Sequence, residues 1–278
     1  MKIAGVPEPF NLPLRLAIED GVLDAVGVQY IDYPGGTGAM TAALATGEID
    51  AAILLTEGGV YDIARGGDNR LIKVFVDSPL VWGIHVAAGS SLTDVTEGTR
   101  VAISRYGSGS HLIAIVDAIE RGFDTSAMSF VVVDNIDGAR KALAAGDADL
   151  FLWEKHMTQP LVDSGEFRRI GERAVPWPAF CVSVRRTFGH EQADALRKVF
   201  DTTWRYSEML LAREDRVSLV SGGYDIAETD AERWLSTVRW HEGFDRPDDA
   251  LERVMQALVA QGSLNEGYAN FDDLWLRI

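Results

Sequence analysis

The sequence predicts an α/β protein of two lobes, each a mainly parallel sheet flanked by helices, with a ligand cleft between the lobes. Three observations predict it. A unit of alternating strands and helices occurs twice, about 99 residues apart. An extended stretch follows each copy, at residues 73–86 and 179–184. From residue 189 onward the pattern is helical. Strands alternating with helices imply parallel βαβ units with right-handed crossovers.

The first unit opens with a short strand at residues 2–6, and the second with one at 100–104. Each leads through a loop into a helix, at residues 12–23 and 111–123, closed by Gly21 and Gly122. Strand-like runs follow at 28–33 and 129–134. The clearest echo comes next. Ala43-Leu44-Ala45-Thr46-Gly47-Glu48-Ile49-Asp50 matches Ala142-Leu143-Ala144-Ala145-Gly146-Asp147-Ala148-Asp149. In each, an alanine-rich helix ends at a glycine suited to the left-handed position. An acidic residue, a spacer and an aspartate lead into an apolar strand, at 51–55 and 150–153.

Residues 73–86 read as two strands broken at Pro79. That stretch and 179–184 are the natural crossings between lobes. They divide the chain into lobe 1, residues 1–84 and 186–278, and lobe 2, residues 85–185. Helices are expected at 192–211, 230–241 and 247–261. The last has a start signal, Asp245-Arg246-Pro247-Asp248-Asp249, and a stop at Gly262.

Composition excludes several function classes. Among 278 residues, 42 acidic side chains against 26 basic ones give a formal net charge of -16, which repels nucleic acid and anionic membranes. No apolar run approaches the ~20 residues that span a bilayer, so no membrane insertion is expected. Residues 1–6 hold no long apolar segment and no cleavage site. With Met1 as the native start the chain reads as cytoplasmic; with an export signal trimmed away, as periplasmic or extracellular. Cys181 is the one cysteine and lies in an apolar run, an inert buried thiol. The five histidines are scattered, so neither a metal site nor a cofactor is expected.

On these residues the chain resembles the type II periplasmic binding proteins, in the branch of ABC-transporter components that bind nitrate, sulfonates and thiamine precursors. The resemblance is carried by Gly5-Val6-Pro7-Glu8-Pro9-Phe10 after the first strand and by Gly35-Gly36-Thr37-Gly38 before a helix. The turn Leu44-Ala45-Thr46-Gly47-Glu48-Ile49-Asp50-Ala51 and Arg100-Val101-Ala102-Ile103-Ser104 with its Gly/Ser loop also carry it. It covers nearly the whole chain. It implies hinge closure on a small solute and, for an exported chain, an ABC permease as partner.

In open α/β sheets, ligands sit beyond the carboxyl ends of strands, and helix N-termini there suit anionic groups. The candidate ligand-binding residues follow from that rule. Glu8, Phe10 and Asn11 lie in the first loop, with Asn11 as helix cap or ligand donor and Phe10 as ring stack or core. Gly36, Thr37 and Gly38 lie in the second, with Thr37 also read as a cap. Ser104, Tyr106, Gly107, Ser108, Gly109 and Ser110 form a backbone nest with three hydroxyls. Arg105 and His111 flank it, one as an anion partner, the other as a polar helix start. Thr56 and Glu57 end one strand, Trp153 and Glu154 another, and Trp177 stands near the second crossing. The glycine loops call for an anionic group, while Glu57 and Glu154 suit an amine or ring N–H. The expected ligand is therefore an anionic or zwitterionic organic solute.

Binding without chemistry is the favoured function, with no catalytic residue assigned. The alternative is an enzyme on the same fold acting on a small carboxylate or heterocycle. Relatives that make thiamine precursors carry a cysteine-rich motif, which a single cysteine does not supply. Acid–base chemistry by Glu57, Glu154 or His156 is the form left to that alternative.

Overall fold

The computed structural model describes residues 1–224, 226–265 and 271–278. In chain order the elements are β1 (Lys2–Gly5), α1 (Leu12–Glu19), β2 (Gln29–Asp32), α2 (Gly36–Thr46), β3 (Ala51–Leu55), α3 (Thr56–Ala64) and β4 (Asn69–Val76). Next come β5 (Val81–Ala87), β6 (Arg100–Ile103), α4 (Gly109–Arg121), β7 (Ser129–Val132), α5 (Ile136–Ala145), β8 (Leu150–Glu154), α6 (Gln159–Asp163) and β9 (Phe167–Ala174). The chain ends with β10 (Phe180–Arg185), α7 (Arg186–Glu191), α8 (Ala193–Ala212), α9 (Arg216–Tyr224), α10 (Glu228–Thr237) and α11 (Asp248–Ala260).

Two compact units result. Unit 1 comprises Met1–Ser78, Trp177–Met255 and Gly267–Ile278; unit 2 comprises Pro79–Pro176 and Gln256–Glu266. Unit 1 holds a five-stranded sheet in the order β2-β1-β3-β10-β4, and unit 2 one in the order β7-β6-β8-β5-β9. The first three strands of each sheet are parallel; the fourth, β10 or β5, is antiparallel to both neighbours. The two sheets thus repeat one topology.

This division differs from the expected boundaries at 84/85 and 185/186, and strand pairing is the reason. All of β5 pairs with β8 and β9, so residues 81–84 belong to unit 2. All of β10 pairs with β3 and β4, so residues 180–185 belong to unit 1. A strand cannot leave its ladder without stranding buried N–H and C=O groups. The C-terminal segment is divided as well. Gln261, at the end of α11, donates its side-chain amide to Ser108 O at 3.3 Å within unit 2.

The sequence echo has a structural cause. Gly47 and Gly146 both adopt the left-handed conformation that closes α2 and α5. Asp50 then accepts the Lys2 backbone N–H at 2.8 Å, and Asp149 accepts the Arg100 backbone N–H at 2.8 Å. Each aspartate ties the start of one parallel strand to the start of its neighbour. The buried faces match too: Ala43, Leu44, Ile49 and Ala52 form a core cluster in unit 1, and Ala142, Leu143, Ala148 and Phe151 one in unit 2.

Some helix bounds move. The first helix stops at Glu19 rather than residue 23, because Gly21 turns left-handed and a short 3-10 turn follows. The helix expected at 230–241 ends at Thr237. Beyond it Trp240 bridges to Val76 and the backbone is extended. Helix α9 lies in a stretch with little hydrophobic periodicity and was not expected. Among the described residues, no helix is long and apolar enough to cross a membrane.

Candidate functional site

The carboxyl ends of β1, β2 and β3 gather the unit 1 candidates. Antiparallel β10 starts at this same end, since Phe180 pairs with Leu55, and so it brings Trp177 there.

Asn11 is fully buried. It makes no side-chain cap to α1. Its Nδ2 donates instead to Val6 O at 2.7 Å, beside a 3.1 Å bond from the Tyr30 hydroxyl to the same carbonyl. Gly5 allows this. A Cβ there would lie 2.6 Å from Asn11 Nδ2 and 2.7 Å from Tyr30 Oη. Asn11 Oδ1 is left buried with no partner.

Phe10 is 9% exposed and sits in an aromatic cluster, 4.8 Å from Phe180 and 5.3 Å from Trp234 by ring centroids. Its carbonyl accepts the Trp240 indole N–H at 2.9 Å. Of its two expected roles, the structure gives it core. Glu8 is half-buried at the entry to a 3-10 turn (Pro9–Asn11), and burial pushes its carboxyl up to about 7.

Thr37 is not a cap. Helix α2 starts one residue earlier, with Gly35 at the cap position. The Thr37 hydroxyl accepts the Leu55 backbone N–H at 3.2 Å, and its methyl lies against Gly58. Gly36 is left-handed. A Cβ at Gly36 or Gly38 would meet no atom within 4 Å.

The polypeptide does not stop at a strand end after Leu55 but turns into α3, with Thr56 and Glu57 in its first turn. Thr56 is buried and spends its hydroxyl on Pro178 O at 2.6 Å and Cys181 Sγ at 3.2 Å. Cys181 is buried as expected, and desolvation pushes its thiol up to about 12. Glu57 is 5% exposed. Its Oε2 accepts the Trp177 indole N–H at 3.0 Å, and its Oε1 has no partner. Burial pushes this carboxyl up to about 7, with its own backbone N–H and the Trp177 bond opposing.

In unit 2 the loop between β6 and α4 is tied mostly to itself. Ser110 Oγ accepts the Ser104 N–H at 2.9 Å and lies 3.1 Å from Ser108 Oγ. Ser108 caps α4, accepting the His111 N–H. Gly107 is left-handed and donates its N–H to His111 Nδ1 at 3.1 Å. The three hydroxyls therefore build the loop, and His111 is the polar helix start expected. Burial lowers the His111 pKa, and its Nδ1 accepts the Gly107 N–H. Tyr106 is 65% exposed, its ring edge-on to His111 and Phe130. Arg105 is exposed. As with Gly36 and Gly38, a Cβ on Gly107 would meet no atom within 4 Å.

At the end of β8, half-buried Trp153 stacks on Phe151 at 5.2 Å, and Glu154 accepts the Met157 N–H at 2.8 Å. Trp82, not among the expected residues, joins them from β5, directly opposite Glu154. It is 6% exposed, its ring is edge-on to Trp153, and its indole N–H is buried without an acceptor. A Cβ on Gly109 would lie 3.0 Å from it. A signal existed: β5 and β10 are the antiparallel strands next to the two boundaries, with Trp82 the second residue of β5 and Trp177 just before β10. An apolar cavity of about 190 Å³, lined by Val101, Ala114, Phe123, Leu150 and Leu152, lies at the opposite, amino end of β6 and β8. Among the described residues, no group of three His, Cys, Asp or Glu side chains is placed to hold a metal.

Comparison with known proteins bears on this arrangement. A family model described as Ca3427-like PBP matches residues 82–173. The CA3427 gene product of Candida albicans, described as having the generic periplasmic binding protein fold, superposes with a TM-score of 0.87 at 24% identity, covering 100% of this chain and 96% of that one. The alkanesulfonate-binding protein SsuA of Xanthomonas axonopodis pv. citri, bound to MOPS, gives 0.80 at 18% identity, covering 100% and 98%. The periplasmic nitrate-binding protein NrtA of Synechocystis PCC 6803 gives 0.69 at 13%, covering 99% and 85%. No curated protein matches the sequence. Two sheets of one topology, each receiving its antiparallel fourth strand from a unit boundary, and full-length superposition on these proteins give one conclusion: the chain has the type II periplasmic-binding-protein fold.

Proposed function

We propose that this protein reversibly binds a small organic solute carrying an anionic group, and that it does so without turnover. Each unit offers such contacts in the loops at the carboxyl ends of its parallel strands. One observation carries the reading. At Gly36, Gly38 and Gly107 a Cβ would meet nothing within 4 Å, so neighbouring atoms do not demand glycine there. Gly36 and Gly107 are explained by their left-handed backbone; Gly38 is explained by neither packing nor backbone conformation. Glycine in the first turn of a helix bares backbone N–H groups at the positive end of its dipole, which suits an anion.

Similar folds support the same class, since SsuA is described as binding alkanesulfonates and NrtA nitrate. Those proteins are binding proteins, which favours capture over catalysis. In the exported form of this reading, an ABC permease takes the solute onward.

The test is thermal unfolding against a panel of sulfonates, carboxylates, pyrimidines and amino acids. A ligand that binds only the folded state raises the melting point by mass action. The expected result is a shift by an anionic or zwitterionic compound that is recovered unchanged. Conversion of the compound would make the protein an enzyme, and no shift across the panel would overturn solute capture.

A further inference from the structure

Two acceptors in unit 1 are buried with nothing to accept. Glu57 Oε1 and Asn11 Oδ1 both lack a donor, although Glu57 is 5% exposed and Asn11 fully buried. The Asn11 amide is oriented by its neighbours, because Nδ2 donates to Val6 O and the reverse orientation would set oxygen against oxygen. Glu57 is held by Trp177 through its other oxygen. Among the described residues no Lys, Arg or His forms an ion pair with Glu57.

These groups follow adjoining strands, Asn11 in the turn after β1 and Glu57 in the first turn of α3 after β3. Asn11 packs over Gly5, the last residue of β1, and Gly5 pairs with Ile53 of β3, two residues before the turn into Thr56 and Glu57. An isolated buried carboxylate is costly and is normally matched by a cation or by hydrogen bonds. Two acceptors, one from the turn after β1 and one from the start of α3, match a head group with several N–H donors. Ammonium and amidinium nitrogens have that form, whereas a hydroxyl offers one donor and an anion none.

We propose that Glu57 and Asn11 form a subsite for a positively charged hydrogen-bond donor, an ammonium or amidinium nitrogen, on the bound solute. The inference rests on the solute-binding reading. Together they make the solute a zwitterion, its anionic end at the glycine-bearing start of α2 and its cationic end at Glu57, both in unit 1.

The probe is acetamidinium chloride, compared with potassium acetate, an anion of the same shape, at equal ionic strength. The readout is the 15N-resolved indole N–H resonance of Trp177, assigned with Trp177→Phe. The expected result is a saturable shift with acetamidinium and none with acetate. Glu57→Gln should weaken the acetamidinium response by about tenfold, the loss of one charge-assisted bond. No response to either salt, equal responses to both, or an acetamidinium response unchanged in Glu57→Gln would overturn the subsite. The comparison of the two salts on the unmutated protein stands even where the variant fails to fold. A panel that raises the melting point only with purely anionic compounds would also overturn the subsite while leaving solute capture intact.

Discussion

Trp177 donates its indole N–H to Glu57 at 3.0 Å across 120 residues of sequence, joining the segment before β10 to the first turn of α3. The carboxyl it reaches is otherwise enclosed by protein, and that burial gives a stability effect with a definite sign. The folded-state pKa of Glu57 is about 7, above the ordinary 4.5, because burial penalises the charged form. The folded state therefore holds this proton more tightly than the unfolded chain. The stability it contributes is full below pH 4.5 and is lost as pH rises through 7. Glu57→Gln cannot titrate. Relative to the unmutated protein the variant should gain about 3 kcal/mol between about pH 4.5 and pH 8. Urea unfolding of both proteins across that range measures it; a constant difference would show that Glu57 does not titrate as argued.

Gly58 and Thr37 form a steric pair. A Cβ on Gly58 would collide with the Thr37 methyl, while the Thr37 hydroxyl holds the Leu55 N–H. Gly58→Ala should cost about 1–3 kcal/mol from the clash, although alanine favours the helix. Thr37→Ser removes the methyl and keeps the hydroxyl. The double variant should recover most of the loss and unfold near the unmutated protein. Additive losses in the double variant would show that the pair is not coupled.

The repeat was legible because it is built from local rules. A helix ending at a left-handed glycine and an aspartate binding the next strand start recur as Gly47 with Asp50 and Gly146 with Asp149. The site was legible only as loops. Its residue roles depend on partners far along the chain, such as Thr56 with Pro178 and Glu57 with Trp177. Phe10 reads equally as a stacking ring or as core until Phe180 and Trp234 are seen around it. The boundaries were misplaced for the same reason. Residues 81–87 and 180–185 look alike as apolar strands, and only the ladders show which sheet each joins.

His85 gives a second pH effect, opposite in sign. It is fully buried, with Nδ1 3.3 Å from Phe151 O and Nε2 2.9 Å from Thr158 Oγ1. Burial, then the Arg169 charge, lowers its pKa to about 4 from the ordinary 6.5. The unfolded state thus takes up the proton first, and stability is lost as pH falls from 6.5 toward 4. His85→Phe should be less stable at pH 7 through its lost hydrogen bonds. The gap should then narrow by about 3 kcal/mol as pH falls to 4, because only the unmutated protein has the titrating group. Parallel stability curves would contradict this assignment.

Ser110 links backbone and side chains in the loop that opens α4. It is 1% exposed, accepts the Ser104 N–H at 2.9 Å, and lies within hydrogen-bond distance of the Ser104 and Ser108 hydroxyls. Ser110→Ala leaves the Ser104 N–H buried without that acceptor, at a cost of about 1–3 kcal/mol. Amide exchange at Ser104 should accelerate, while amides of β1 and β3 in unit 1 keep their protection. The cap from Ser108 to His111 and the left-handed turn at Gly107 remain available, so α4 should persist. A Ser104 amide that stays protected in the variant would show that the loop is held by other contacts. Faster exchange, together with weaker binding of an anionic compound found in the thermal panel, would tie the hydroxyl network to the anion binding proposed for this protein.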